Sequence, residues 1–360
     1  EILVDEPSGI ENFEELEQKG DAFSIFQKEN LEKITELRDE YKDLGNLDDY
    51  SEEKGKVYFD KLKNVSLKIS ELILKAKENG LDSNDVFGTF MDDNELLKRK
   101  EDLLNVQNGT YIPLSETGFL GANDGGDGWY LEKDEKGETG FILDTKGHGD
   151  GVSKEKVFVQ KIFEELEKVP EDERGKYMAK TDSIFENIFH AGGNTVASYA
   201  RMKLESNGDR KKIKLEKYGD SLVLIYDPKE NKIFFHGGIS DKVDKEKFIE
   251  LKTVSESGEE KNLGIPPIGY GFLGLMGSAV TYENDFSAGS EFLLSSDGIT
   301  DPHMKFKGDR NIDQVLTDFI EMRNNGQDIK LIDYLNKEVL DADPDGKVDD
   351  ITFISVGSNS

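Results

Sequence analysis

Between Phe13 and Leu44 apolar residues return every third or fourth position, and Leu31, Ile34, Leu37, Tyr41 and Leu44 fall on one side of a helix. Gly45-Asn46-Leu47-Asp48-Asp49 interrupts the pattern as a turn. A second stripe follows through Tyr58, Leu62, Val65, Ile69, Leu72 and Ala76, in alternating steps of four and three. Two such stripes joined by a short turn predict an antiparallel helical hairpin. A third short helix is expected near 94–106, and residues 1–11 form a loose lead-in. Residues 1–108 therefore read as an N-terminal helical, coiled-coil-like region. It is expected to regulate access, to form a homodimer through the Tyr58–Ala76 stripe, or to dock a partner.

After Asn108-Gly109 the helical spacing gives way to short apolar runs separated by glycine-rich turns. Strands are predicted at 128–132, 140–144, 195–204, 213–218, 221–226, 232–236, 290–295 and 351–356. Helices are predicted at 154–169, 180–189 and 312–322. Strands gathered in meanders, with helices gathered apart from them, predict an α+β layered domain over 109–358 rather than a doubly wound parallel sheet.

Composition narrows the chemistry. Against 76 acidic residues stand 46 lysines and arginines, for a net charge of −30 over 360 residues. That balance argues against nucleic acid as a partner and against an anionic membrane surface. It also opposes a phosphate-bearing substrate unless bound cations invert the local field. The absence of cysteine excludes disulfides, thiolate metal sites and cysteine nucleophiles. With four histidines, a metal site would be mostly oxygen, which favours magnesium or manganese. No apolar run approaches the ~20 residues of a membrane span. A start at Glu1 rather than methionine leaves a removed leader open.

Four segments place an acid where a strand meets a loop. They are Gly125-Gly126-Asp127-Gly128, Leu143-Asp144-Thr145-Lys146-Gly147-His148-Gly149, Ser295-Ser296-Asp297-Gly298 and Asp349-Asp350-Ile351-Thr352. Singly, each is an ordinary turn. Together they predict converging carboxylates, which repel one another unless a cation holds them. Two divalent ions would do so, and would also sharpen a water into a nucleophile and neutralise a phosphoryl group.

With Gly192-Gly193-Asn194-Thr195 and Tyr218-Gly219-Asp220-Ser221 added, these segments resemble, in order, the motifs of the metal-dependent PPM family of serine/threonine phosphatases. That family is protein phosphatase 2C-like and includes a bacterial sporulation and sigma-factor-regulating branch. The resemblance spans roughly residues 115–357. It implies a four-layer α-β-β-α sandwich and a centre of two manganese or magnesium ions on Asp127, Asp144, Asp297 and Asp349, with a backbone carbonyl near Thr145. Asp220 would share a weaker third ion with Asp297. The implied activity is hydrolysis of phosphoserine and phosphothreonine in a phosphoprotein, by direct attack of a metal-bound hydroxide and without a phosphoenzyme. The implied location is the cytoplasm. His148 is a candidate general acid for the leaving oxygen, or it orients its loop by hydrogen bonding.

Many family members carry a phosphate-binding arginine five residues before the first metal acid, where this chain has Ala122. Substrate affinity would then rest on the metals. The alternative is a catalytically weak PPM-like scaffold that binds partners. Two other motifs are weaker, and the first is carried as a third, calcium-responsive reading. Asp341–Asp349 begins like a calcium loop, but its twelfth position is Thr352 and a strand follows. Gly269-Tyr270-Gly271-Phe272-Leu273-Gly274 follows Pro266-Pro267 rather than a strand and reads as a flap. His190, His236 and His303 read as structural, and Trp129 and Tyr130 as core.

Overall fold

The computed structural model describes residues 13–106, 108–112, 127–135, 137–145, 153–207, 209–219, 221–236, 252–254, 260–262, 280–300, 304–342 and 350–357. Five helices come first: α1 (Phe13–Glu29), α2 (Leu31–Lys42), α3 (Glu52–Glu78), α4 (Ser83–Phe90) and α5 (Asp93–Leu104). The single helix expected over 13–44 is divided at Asn30. There the side-chain amide donates to the Phe26 carbonyl at 2.9 Å and its oxygen accepts from Lys75 at 3.0 Å. An asparagine that bonds the backbone locally competes with helix propagation. The hairpin itself is present. Ser51 caps the first turn of α3, and Lys33–Glu71, Lys68–Glu36 and Lys61–Asp43 run antiparallel across α2 and α3. Those pairs are surface ones and contribute little.

What holds the hairpin is burial. Tyr58, Leu62, Val65, Ile69, Leu72 and Ala76 are each 3% exposed or less. They pack within this chain, in the same core as residues of α2, α4, α6 (Lys154–Glu167) and α7 (Glu171–Ala191), and Phe59 stacks on Tyr177 at 4.5 Å. The stripe expected to form a homodimer is thus covered from within. Helix α7 starts nine residues before its predicted position because Glu171-Asp172-Glu173 after Pro170 make a favourable first turn. It ends on Gly192, whose φ of +107° a side chain would resist.

Two antiparallel sheets follow. The first has the order β1-β12-β11-β6-β7, from Gly109–Ile112, Ile351–Val356, Glu291–Ser295, Leu222–Asp227 and Lys232–His236. The second has the order β2-β3-β4-β5-β10-β8-β9, from Asp127–Lys133, Gly137–Thr145, Ala197–Asn207, Arg210–Tyr218, Val280–Ser287, Lys252–Val254 and Glu260–Asn262. Alternation along the strands makes three cores. Phe141, Leu143 and Tyr199 face α6 and α7. Ile142, Ala200 and Met202 face Val223, Leu294 and Ile354 between the sheets. Leu224, Leu293 and Phe353 face α8 (Ile312–Asn324) and α9 (Leu331–Leu340). Helix, sheet, sheet and helix therefore stack as four layers, the α+β sandwich expected. Among the described residues, no helix is long and apolar enough to cross a membrane.

Candidate metal centre

The register of β2 on β3 sets Asp127 directly opposite Asp144. Partners in an antiparallel pair share a face, and here it is the face of Trp129 and Ile142, which looks between the sheets. The two carboxylates stand where the inter-sheet core ends. Asp127 is only 1% exposed, and Thr352 Oγ1 of β12 donates to its Oδ2 at 2.5 Å. That bond crosses from one sheet to the other. Like charges opposite each other destabilise a strand pair, and an all-oxygen donor set of this kind suits a hard divalent cation.

Asp297 reaches the same end by a different route. Strand β11 ends at Ser295, and a 3-10 turn, Asp297–Ile299, follows. Ser296 N–H donates to the Thr352 carbonyl at 3.1 Å, and Thr352 N–H donates to Ser296 Oγ at 3.0 Å. Thr300 N–H and Oγ1 both donate to the Asp297 carbonyl, at 2.6 and 2.8 Å. Gly298 lies flush on β12, where a Cβ would come 2.2 Å from the Asp350 carbonyl oxygen. The Asp-Gly pair needs its glycine for this approach. Asp350 itself is buried.

On the other side of Asp144 stands its cross-strand neighbour Ser198. Ser198 Oγ lies 2.5 Å from Ser221 Oγ and accepts the Ser221 N–H at 2.6 Å. Gly219, at φ +70°, packs on Ser198. The residues flanking position 220 are thus held beside Asp144. Asp220, Asp349 and His148 lie outside the described residues, as do Ala122, the 343–349 loop, Gly269–Gly274 and His303. The structure brings Asp127, Asp144 and Asp297 to one end of the sandwich. Among the described residues, no three acidic or histidine side chains already form a metal-holding group.

The Gly192–Thr195 run packs against Glu155 of α6. Gly193 makes room for Glu155, whose Oε1 would lie 2.6 Å from an added Cβ. Asn194 N–H donates to that oxygen at 2.6 Å, and Ser83 Oγ donates to Oε2 at 2.9 Å. Burial pushes the Glu155 carboxyl up to about 7, against the pull of those two bonds. Arg99 of α5, which sequence spacing does not single out, donates from its guanidinium to the Asp127 carbonyl. His190 is exposed beside Glu186.

Many of the similar solved structures are PP2C-type phosphatases. The SiaA PP2C domain of Pseudomonas aeruginosa is 15% identical, with a TM-score of 0.44 over 84% of this chain and 97% of that one. Magnesium-bound RsbX is 14% identical, with a TM-score of 0.41 over 69% of this chain and 92% of that one. The serine/threonine phosphatase Stp1 of Staphylococcus aureus is 10% identical, with a TM-score of 0.42 over 70% and 95%. These scores are below 0.5, and the layer order above rests on the strand pairing of this chain alone. No protein-family model matches the sequence, and no curated protein is similar to it.

Proposed function

We propose that this chain is a metal-dependent protein serine/threonine phosphatase that hydrolyses phosphoserine and phosphothreonine in a protein substrate in the cytoplasm. The observation that carries the reading is the pairing of Asp127 with Asp144 at the end of the inter-sheet layer, with the Asp297 turn pinned to β12 beside them. Asp127, Asp144 and Asp297, joined by Asp349, would hold two manganese or magnesium ions, and Asp220 would serve a third. Bound there, the ions supply an activated water and neutralise the phosphoryl oxygens.

The chain's own part is positioning. Thr352 fixes one oxygen of Asp127 and so sets the carboxylate's orientation. The Ser296–Thr352 bonds hold the Asp297 turn against the strand that follows position 349. His148 is the candidate proton donor to the leaving oxygen. Residues 1–108 would act as a regulatory region on the phosphatase domain at 109–358.

The test is manganese-dependent phosphate release from a phosphothreonine peptide, comparing the parent with Asp297→Asn. Release that requires manganese and disappears in the variant is expected. Undiminished release from Asp297→Asn would refute this centre. A folded, manganese-loaded parent that releases nothing would favour the scaffold alternative.

A further inference from the structure

Among the described residues β2 is the outermost strand of its sheet, and none of them adds a strand along its other side. Helix α5 covers that side at the first metal acid. The Arg99 guanidinium donates to the Asp127 carbonyl, and the Trp129 indole N–H donates to the Asp102 carbonyl at 3.1 Å. From α6, the Gln160 amide donates to the Trp129 carbonyl at 3.3 Å. Gly128 is what admits both helices, because a Cβ there would stand 2.7 Å from Gln160 Oε1 and 3.1 Å from an Arg99 nitrogen. Arg99 is 5% exposed. A guanidinium taken out of water is costly unless it meets acceptors, and the Asp127 carbonyl is one such acceptor.

We infer that Arg99 is a positioning residue of the metal centre. It holds the backbone from which Asp127 projects, so metal affinity depends on a helix that lies outside the sandwich. The inference rests on the phosphatase reading of the Asp127–Asp144 pair and adds a regulatory input to it. Displacing α5 from β2 would release the Asp127 carbonyl and loosen the carboxylate that Thr352 aims. Outer contacts of this kind change metal affinity by about tenfold to a hundredfold when removed.

The experiment is calorimetric titration of manganese into the full chain, without substrate, for the parent, Arg99→Lys and Arg99→Met, with circular dichroism on each. Arg99→Met is expected to bind manganese about tenfold more weakly or worse, with unchanged helix content. Arg99→Lys, which keeps a cationic donor, is expected to stay close to the parent. If Arg99→Met does not fold, Arg99→Gln makes the same comparison. Parent-like affinity in the folded Met or Gln variant would overturn the inference and leave α5 as a cover for the sheet edge. A parent that binds no manganese would instead overturn the phosphatase reading, and the inference with it.

Discussion

Glu155 stands at the joint between the N-terminal helices and the sandwich, 2% exposed, bonded by Ser83 of α4 and by the Asn194 N–H after α7. Burial raises its pKa from 4.5 to about 7; the two hydrogen bonds and Lys156 oppose the rise, and Asp82 adds to it. A raised carboxyl means that the folded chain binds one more proton than the unfolded chain between those values. The stability it confers is fully present below pH 4.5, declines as pH rises through the window, and is gone above pH 7. Moving from 4.5 to about 7 corresponds to roughly 3 kcal/mol. Glu155→Gln keeps an acceptor for the Asn194 N–H and removes the titration. The variant is therefore expected to exceed the parent by roughly 3 kcal/mol at pH 8, and by less than about 1 kcal/mol at pH 5. Urea unfolding of both chains across that range measures the difference. A gap between parent and variant that stays constant with pH would refute the reasoning, because the carboxyl would then be ionised throughout.

Other substitutions probe the packing and the centre. Thr352→Val removes a hydroxyl bonded to a buried carboxylate, and should destabilise the metal-free chain by about 1.5–3 kcal/mol, whereas Thr352→Ser should cost much less. Equal urea midpoints for the Val and Ser variants would count against the Asp127 bond. Arg174 is 3% exposed and pairs with Glu167 at 2.9 Å and Glu216 at 2.8 Å, so Arg174→Met strands buried carboxylates and should cost about 3–5 kcal/mol in the same assay. Leu62→Asp should unfold the N-terminal helices, seen as lost helical dichroism, since Leu62 is fully buried in its own chain. A fully helical Leu62→Asp chain of half the parent's mass by light scattering would instead make the stripe a contact between copies.

The sequence by itself determined the elements whose cause is local. The apolar run Phe141-Ile142-Leu143 marked a buried strand, while the fold alone decided that Phe141 and Leu143 meet helices and Ile142 the other sheet. Spacing through Tyr58–Ala76 settled that α3 must bury a face, and strand-end acids marked the candidate centre. Strand β10 was not legible, because Glu283, Asn284 and Asp285 read as a polar loop. Its partner makes it a strand: β5 brings Lys212 and Lys214 alongside, and Lys212 meets Glu283 at 2.8 Å. Tertiary structure alone decided what covers α3, which carbonyl Arg99 serves, and that Thr352 reaches Asp127 across 225 residues. Periodicity records that a surface needs a partner, because burial is non-directional and many partners would satisfy it. Which partner it gets is decided only when the sheets and helices close on one another.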